Sequence, residues 1–199
     1  MTDLLLIIFI KNPVLGQVKT RLAATVGDEQ ALEIYLKLLH YTQCITNTLE
    51  ADKAVFYSDF IDKADFWENS TNLKILQREG DLGCKMKSAF QWGFEKGYKK
   101  ICIIGSDCYE LTAEIIINAF KLLKTKDVVL GPSNDGGYYL LGLKKMSVEL
   151  FQNKKWSTDS VAADTLNDLK ELGLDYQLLK RLNDVDVEED IPEELRWEQ

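Results

Sequence analysis

Short apolar runs alternate with longer amphipathic stretches along this chain. The first run, residues 4–10, is continuous, as expected of a parallel strand that is covered on both faces. The other predicted strands are 53–58, 73–77, 101–105, 128–130, 138–143 and 176–179. Strands that alternate with helices indicate βαβ units, and the sequence therefore predicts an α/β fold with a mainly parallel sheet.

The stretches between these runs carry apolar residues at helical spacing. Helices are predicted at 28–49, 60–68, 81–96, 112–123 and 158–171. Asp28 is expected to cap the first helix, and Gly97 to follow the C-terminal end of the third. Ligands of such sheets bind at the carboxyl ends of the strands, so a site is expected in the loops after residues 10, 77, 105 and 131.

Composition predicts one globular domain that spans residues 1–199. Hydrophobic residues make up 46% of the chain and charged residues 28%, which suits a core that needs no disulfide or structural metal. The net charge of −8 argues against nucleic acid as a partner, because duplex binding requires a basic face.

A cytoplasmic location without membrane association is expected. The apolar run at 4–10 is too short to span a bilayer, and it lacks the basic region and cleavage site of a signal peptide. The four cysteines are spaced unlike a zinc site, and we expect them to be reduced.

The loop after the first strand carries three cations, Lys11, Lys19 and Arg21. Pro13 and Gly16 oppose a regular helix there, so that backbone N–H groups can turn toward a ligand. A lysine offers phosphate a point charge, and an arginine offers it a bidentate fork. The loop therefore favours phosphate binding, and a solvated basic turn is the alternative.

Carboxylates at two other places are candidates for a metal site. Asp107 follows the strand at 101–105, and Asp184 and Asp186 alternate near the C-terminus, so they face the same way in an extended chain. Mg²⁺ prefers one or two carboxylates with phosphate oxygens and waters, and Mn²⁺ suits the same ligands. A divalent metal, Mg²⁺ or Mn²⁺, is expected; a capping Asp107 and a solvated acidic tail are the alternatives.

The turn Asp135-Gly136-Gly137 is a third candidate. Glycine tolerates positive φ and lets a ligand approach the backbone closely, although a plain hairpin turn explains the same residues. Other chemistries lack their motifs. With one histidine and neither G-x-S-x-G nor G-x-G-x-x-G, the sequence does not support a Ser-His-Asp triad, a histidine-rich metal site or a nicotinamide or flavin cofactor.

Five segments stand in order on matching elements: Lys11-x-Pro13-x-x-Gly16-x-Val18-Lys19-Thr20-Arg21-Leu22, Gly80-Asp81-Leu82-Gly83, Gly105-Ser106-Asp107-Cys108, Gly131-Pro132-x-x-Asp135-Gly136-Gly137-Tyr138-Tyr139-Leu140-Leu141-Gly142-Leu143 and Trp156-Ser157-Thr158. Through them the chain resembles, over nearly its whole length, the bacterial selenodomain-associated transferases. That family is a branch of the nucleotide-diphospho-sugar transferases. The resemblance implies a three-layer, Rossmann-like GT-A fold.

The same resemblance implies roles for individual residues. It implies that Lys19 and Arg21 lie near the nucleotide phosphates. It implies that Asp107 binds the metal and that Asp186 belongs to a segment that often completes the metal site. Asp135 would lie toward the acceptor.

The resemblance also implies that Gln77 and Gly83 approach the nucleotide base. The chain departs from the family pattern at three places: Tyr109 stands where proline is usual, Lys85 where arginine is common, and Val187-Glu188 where Thr-Pro is usual. The departure at Lys85 affects what the resemblance implies about the geometry there. The departure at Val187-Glu188 affects what it implies about the role of Asp186.

We predict a metal-dependent transferase with a nucleotide-activated donor and a small-molecule acceptor. The first hypothesis is glycosyl transfer from a nucleotide-diphosphate sugar. The second is nucleotidyl transfer from a nucleoside triphosphate to a phosphorylated acceptor with release of pyrophosphate, because the first loop is also similar to that of phospholactate and molybdopterin nucleotidyltransferases. A non-catalytic nucleotide-binding module and a redox or scaffold domain are further alternatives. The sequence does not decide whether the protein forms a homo-oligomer, and Trp67 and Trp197 are candidate interface residues.

Overall fold

The computed structural model describes residues 2–67 and 72–196, which contain one seven-stranded sheet. Its strands are β1 (Leu4–Ile10), β2 (Asp52–Tyr57), β3 (Asn72–Leu76), β4 (Lys100–Ile104), β5 (Val128–Pro132), β6 (Tyr138–Leu143) and β7 (Tyr176–Leu178). The α-helices in the described ranges are α1 (Thr20–Val26), α2 (Asp28–Asn47), α3 (Leu82–Glu95), α4 (Ala113–Leu122) and α5 (Val161–Glu171). Short 3₁₀ helices lie at Val148–Phe151, Glu188–Asp190 and Glu193–Leu195.

The sheet has the order β3-β2-β1-β4-β6-β5-β7, and only the pairings of β6 are antiparallel. A short turn at 133–137 joins β5 to β6, so β6 must run back, whereas longer connections return the chain for parallel pairing. The predicted α/β fold with a mainly parallel sheet is confirmed. The chain reverses its direction across the sheet between β1 and β4, and ligands bind at such switch points.

Helices cover both faces of the sheet and complete three layers. Alternate residues of β1 enter two different cores: Leu6 and Ile8 pack with side chains of α2 and α4, while Leu5 and Ile7 pack with side chains of α3 and α5. A strand buried on both faces needs a continuous apolar sequence, as residues 4–10 have.

A third, smaller core attaches the C-terminal segment to the helices next to the first loop. Leu22 of α1 and Ile34 of α2 are buried together with Val185, Ile191 and Leu195. The described part of the acidic tail is therefore docked rather than solvated. This docking carries Asp184 and Asp186 to the carboxyl end of the sheet.

Two local predictions are wrong. The described part of the helix expected at 60–68, residues 60–67, is not helical. Asp62 and Asp65 accept hydrogen bonds from the backbone N–H groups two residues ahead, an arrangement that competes with a helix. The predicted loop that carries Lys11, Lys19 and Arg21 ends earlier than expected, because helix α1 begins at Thr20. Neither glycine nor proline interrupts residues 20–26, so nothing opposes a helix there.

Smaller differences concern helix starts and one aromatic residue. The N-cap of α2 is Gly27, and Asp28 is its first helical residue. Helix α5 begins at Val161, three residues later than predicted, and Ser160 is its N-cap. Trp67 is buried and cannot be an exposed interface residue, and Trp197 lies outside the described residues. Among the described residues, no helix is both long and apolar enough to cross a membrane.

Candidate active site

A cleft of about 780 Å³ opens at the carboxyl ends of β1 and β4. Its lining includes most of the residues that the sequence singled out: Lys11, Lys19, Arg21, Gln77, Asp107, Asp135, Gly137, Asp184 and Asp186. Four predicted site residues, Pro13, Gly16, Gly83 and Gly136, are not in the lining of this cleft. The candidate residues from distant parts of the sequence therefore meet in one place.

Lys19 stands between two carboxylates at the centre of the cleft. Its Nζ atom donates hydrogen bonds to Asp107 Oδ2 at 2.9 Å and to Asp186 Oδ1 at 3.2 Å. Arg21 makes a longer contact, 3.4 Å from NH1 to Asp186 Oδ2. The Lys19 side chain is only 7% exposed, whereas that of Arg21 is 73% exposed. Lys19 is thus the inner cation of the site and Arg21 the outer one.

The backbone at Lys19 is left-handed, with φ of 46° and ψ of 45°. This conformation is unfavourable for a residue other than glycine by about 1–2 kcal/mol. It ends the first loop and starts α1 immediately afterwards, so that Arg21 falls in the first turn of a helix. Strain of this kind clusters at functional sites, and here it aims Lys19 into the cleft.

Charge pairing dominates the electrostatics of Lys19 and Asp107. Burial lowers the pKa of Lys19, but the nearby Asp107 and Asp186 carboxylates outweigh it and raise the pKa above its usual value. Burial likewise opposes ionisation of Asp107, yet the attraction of Lys19 leaves the pKa of that carboxyl below its usual value. Both groups are therefore charged at neutral pH.

Asp184 is the carboxylate that pairing does not satisfy. Its Oδ1 atom is buried and has no hydrogen-bond partner among the described residues. Burial raises the pKa of Asp184 to about 7, and repulsion from Asp107 and Asp135 adds to this shift. An additional cation at the centre of the cleft would therefore favour the ionised form of Asp184.

A hydrogen-bonded turn positions the segment that carries Asp186. Asp190 Oδ2 accepts from the backbone N–H groups of Asp186 and Val187 at 3.1 and 3.0 Å, and Asp190 Oδ1 accepts from Asn183 Nδ2. The Val185 backbone N–H donates to the carbonyl oxygen of Asp107 at 2.9 Å. The two candidate metal ligands are consequently tied to each other through the backbone.

Tyr35 of α2 joins the two loops on which the phosphate and metal predictions rest. Its buried hydroxyl accepts from the Lys11 backbone N–H at 2.8 Å and lies 3.0 Å from the Lys11 carbonyl oxygen and 3.3 Å from Ser106 Oγ. Burial raises the pKa of Tyr35 to about 12, so the hydroxyl keeps its proton. Sequence reasoning missed Tyr35, because an aromatic residue on the apolar stripe of a helix looks like ordinary core.

Gln77 lies at the β3 side of the cleft. Its Nε2 atom donates to the carbonyl oxygens of Ile10 at 3.1 Å and Phe56 at 2.9 Å, which link the ends of β1 and β2. Both amide hydrogens are used within the protein, and Oε1 is the atom left to accept from a ligand.

The turn at Asp135 forms the other wall of the cleft together with residues 157–159. Asp135 Oδ1 accepts from the Gly137 backbone N–H at 2.8 Å and from Ser133 Oγ. Its Oδ2 atom has no hydrogen bond to a described residue. The five residues of this hydroxyl-rich wall are Ser133, Asp135, Ser157, Thr158 and Asp159. Sequence reasoning missed the contribution of 157–159 to the cleft, because nothing local relates that segment to the turn.

Two glycines outside the lining allow these elements to approach each other. A Cβ atom on Gly83 would lie 2.2 Å from Trp156 Nε1, and one on Gly136 would lie 2.0 Å from the Asp159 carbonyl oxygen. The absence of a side chain at Gly83 therefore lets Trp156, which precedes the wall, pack against α3. The absence of a side chain at Gly136 lets the backbone of Asp159 pack against the turn between β5 and β6.

Replacing Gly136 by alanine is expected to destabilise the protein more than replacing Gly97. Both glycines have positive φ, 88° and 93°, but a Cβ on Gly97 would meet no atom within 4 Å. Both variants lose about 1–2 kcal/mol from the left-handed backbone. Gly136→Ala should lose about 1–3 kcal/mol more, because a backbone carbonyl must move. Urea unfolding measures both; equal losses would show that the wall shifts freely to accept the methyl group.

The residues present fit a divalent metal that is shared with a ligand. No group of three or more His, Cys, Asp or Glu side chains in the described ranges is arranged to hold a metal by itself. Asp107 and Asp186, however, direct one oxygen each toward a common cation, the Lys19 ammonium. Two carboxylates with phosphate oxygens are what Mg²⁺ requires. The donor set therefore suits a metal that arrives with phosphate.

The sequence matches a known bacterial family. A family model described as an uncharacterised protein conserved in bacteria (DUF2064) matches residues 42–158. The chain belongs to this family. A search of the curated proteins finds no match.

Solved structures place the chain within a wider superfamily. The crystal structure of a protein from Desulfovibrio desulfuricans G20, provisionally described as a nucleotide-diphospho-sugar transferase, has 30% sequence identity and a TM-score of 0.87, covering 94% of this chain and 84% of its own. At that similarity the chain is a member of the nucleotide-diphospho-sugar transferase superfamily, and the GT-A-like fold is confirmed.

More distant structures share the fold alone. The inositol-1-phosphate CTP transferase of T. maritima has 13% identity and a TM-score of 0.60, covering 96% of this chain and 92% of its own. A manganese complex of a Mycobacterium tuberculosis H37Rv protein has 8% identity and a TM-score of 0.56, covering 95% and 96%.

Proposed function

We propose that this protein transfers a glycosyl group from a nucleotide-diphosphate sugar to a hydroxyl of a small acceptor that carries no phosphate. The observation that carries the proposal is the unequal distribution of charge in the cleft. Its cations come from the first loop, the start of α1 and α3: Lys11, Lys19, Arg21 and Lys85. The hydroxyl-rich wall contributes hydroxyls and carboxylates to the lining, and Arg181, which donates to the Ser133 carbonyl oxygen at 2.8 Å, is not part of that lining. We also infer membership of the selenodomain-associated branch, which the five sequence segments support.

The cationic side suits the diphosphate of the donor. Lys11 and Lys85 form no ion pair within the described residues and are available to phosphate oxygens. Lys19 at the centre of the cleft and Arg21 on its outer side would face the charge that develops on the leaving nucleoside diphosphate. Cations at such a position stabilise the negative charge of the transition state.

Asp107 and Asp186 would hold the divalent metal, which when bound neutralises the diphosphate as it leaves. The position of Asp186 supports this role, because its docked segment is bonded to the backbone of Asp107 through Val185. Side chains of the protein would bind the acceptor and accept its proton.

Asp135 would act as the general base. Its Oδ1 atom is fixed by Gly137 and Ser133, which leaves Oδ2 to accept the proton of the acceptor hydroxyl. The acceptor oxygen forms a bond to the anomeric carbon of the sugar, the bond from that carbon to the β-phosphate oxygen breaks, and the nucleoside diphosphate departs with the electron pair. Ser157 and Thr158 line the same wall and supply hydroxyls for a polyhydroxy acceptor.

Nucleotidyl transfer is the second candidate, and Lys85 is the feature that favours it. This half-buried cation lines the cleft without an ion-pair partner in the described chain and could bind a phosphate on the acceptor. That acceptor would attack the α-phosphate of a nucleoside triphosphate and release pyrophosphate. The two reactions differ in their products.

Product analysis tests the proposal directly. The protein is first screened by thermal shift against nucleotide sugars and nucleoside triphosphates with Mg²⁺, Mn²⁺ or EDTA; a ligand at ~100 times its Kd should stabilise the protein by about 2.7 kcal/mol. The best donor is then incubated with polyols, hexoses and glycosides. We expect acceptor-dependent release of nucleoside diphosphate without pyrophosphate. Pyrophosphate release from a triphosphate and a sugar phosphate would instead establish nucleotidyl transfer, and binding without turnover would favour a nucleotide-binding module.

A further inference from the structure

The Lys19 ammonium already engages the carboxylate oxygens that are proposed to hold a metal. It lies 2.9 Å from Asp107 Oδ2 and 3.2 Å from Asp186 Oδ1, the two oxygens that converge in the cleft. Mg²⁺ binds oxygen ligands at about 2.0–2.1 Å. A metal bound by the same two oxygens would have to compete with the ammonium for them, because two cations that share these ligands repel each other.

Lys19 is well held while no other cation is present. Its side chain is 7% exposed, it donates to both carboxylates, and the strained left-handed backbone at this residue directs it inward. Arg21 contacts the same Asp186 from the solvent side through a 73% exposed side chain, so it is a weaker competitor for the carboxylate.

We propose that Lys19 is the resident cation of the ligand-free site and that a divalent metal binds by displacing it from Asp107 and Asp186. The inference rests on the proposed metal-dependent function. A displaced ammonium needs a new anionic partner, and a phosphate of the nucleotide is the anion that the cleft is proposed to receive. Metal and nucleotide then bind cooperatively, each increasing the affinity of the other by the same factor.

Displacement of Lys19 makes the metal affinity of the site lower without the nucleotide than with it. Lys19 pairs with both carboxylates in the absence of ligand, so metal alone must break two charge-assisted hydrogen bonds. The nucleotide supplies phosphate both to the metal and to the released Lys19. A fixed structural ion pair at the same place would predict no such exchange.

Metal affinity without nucleotide tests the proposal. Mn²⁺ binding is measured by electron paramagnetic resonance for the wild type, Lys19→Met and Arg21→Met. We expect Lys19→Met to bind Mn²⁺ at least about tenfold more tightly than the wild type. Arg21→Met removes the same charge from the exposed side of Asp186 and should change the affinity by less than about threefold.

Chemical labelling of the wild type gives a second readout that does not depend on a variant. The protein is acetylated with an amine reagent with and without Mn²⁺, and each lysine is quantified by mass spectrometry. Lys19 should be protected without metal and become at least about threefold more reactive with saturating Mn²⁺. Lys37, which pairs with Glu33 on α2, is the matched control and should not respond.

The outcomes separate this inference from the proposed function. Equal Mn²⁺ affinity of wild type and Lys19→Met, or Lys19 labelling that does not respond to bound Mn²⁺, overturns the displacement and leaves the metal role intact. Weaker binding by Lys19→Met overturns it as well, because Lys19 would then support the metal. Absence of Mn²⁺ binding in both proteins, with and without nucleotide sugar, overturns the inference together with the metal-dependent reaction.

Discussion

Replacing Asp107 by asparagine should reduce metal-dependent turnover by about 10³-fold, because the proposed metal would lose one of its two carboxylates and with it several kcal/mol of transition-state charge stabilisation. The Asp107→Asn variant would keep the size of the side chain but lose the charge that pairs with Lys19 at 2.9 Å. The metal would be left with Asp186 as its carboxylate from this pair. The effect is measured as kcat/KM for the nucleotide sugar across a titration of Mg²⁺ and Mn²⁺.

The matched control for Asp107→Asn is Asp127→Asn. Asp127 also pairs with a lysine, Lys144, at 3.0 Å, but it precedes β5 and so lies at the end of the sheet away from the cleft. Its loss should leave kcat/KM within about twofold of the wild type, since exposed ion pairs contribute little. If Asp107→Asn kept wild-type activity and metal dependence, Asp107 could not be the metal-binding acid.

Replacing Asp135 by asparagine should lower kcat by about 10²–10⁴-fold, the usual contribution of a general base. The amide keeps an oxygen that can accept from the Gly137 backbone N–H, so the turn should persist. It cannot take the proton from the acceptor hydroxyl. Steady-state kinetics with the acceptor identified by product analysis measure the loss.

Donor binding separates a catalytic loss at Asp135 from a structural one. Asp135 lies on the hydroxyl-rich wall, away from the cationic loop, so the thermal shift produced by the nucleotide sugar with metal should be preserved in Asp135→Asn. A variant that lost donor binding and kcat together would indicate damage to the cleft. A variant with unchanged kcat would remove Asp135 from the chemistry and would favour nucleotidyl transfer, in which a phosphorylated acceptor is already ionised.

Local patterns predicted the elements of this fold well where a single periodicity dominated. Residues 4–10 form a strand with the predicted bounds, and α3 (Leu82–Glu95) lies within the predicted range 81–96 and is followed by Gly97 as expected. The region at 60–67 failed for a physical reason. Asp62 and Asp65 accept hydrogen bonds from nearby backbone N–H groups. Asp65 also accepts hydrogen bonds from Tyr57 and Lys74, which lie on two strands, and a helical pattern in the sequence does not predict such contacts.

The sequence by itself determined the sheet, its layers and the chemical types available in the loops, because burial periodicity and turn residues are local properties of the chain. The tertiary structure alone decided that Lys19 meets Asp107, 88 positions away, and Asp186, 167 positions away. That meeting depends on the strand reversal between β1 and β4 and on a C-terminal segment docked by its own small core. The Asp107 and Asp186 carboxylates share the Lys19 ammonium because of these long-range contacts. No local periodicity of the sequence encodes such contacts.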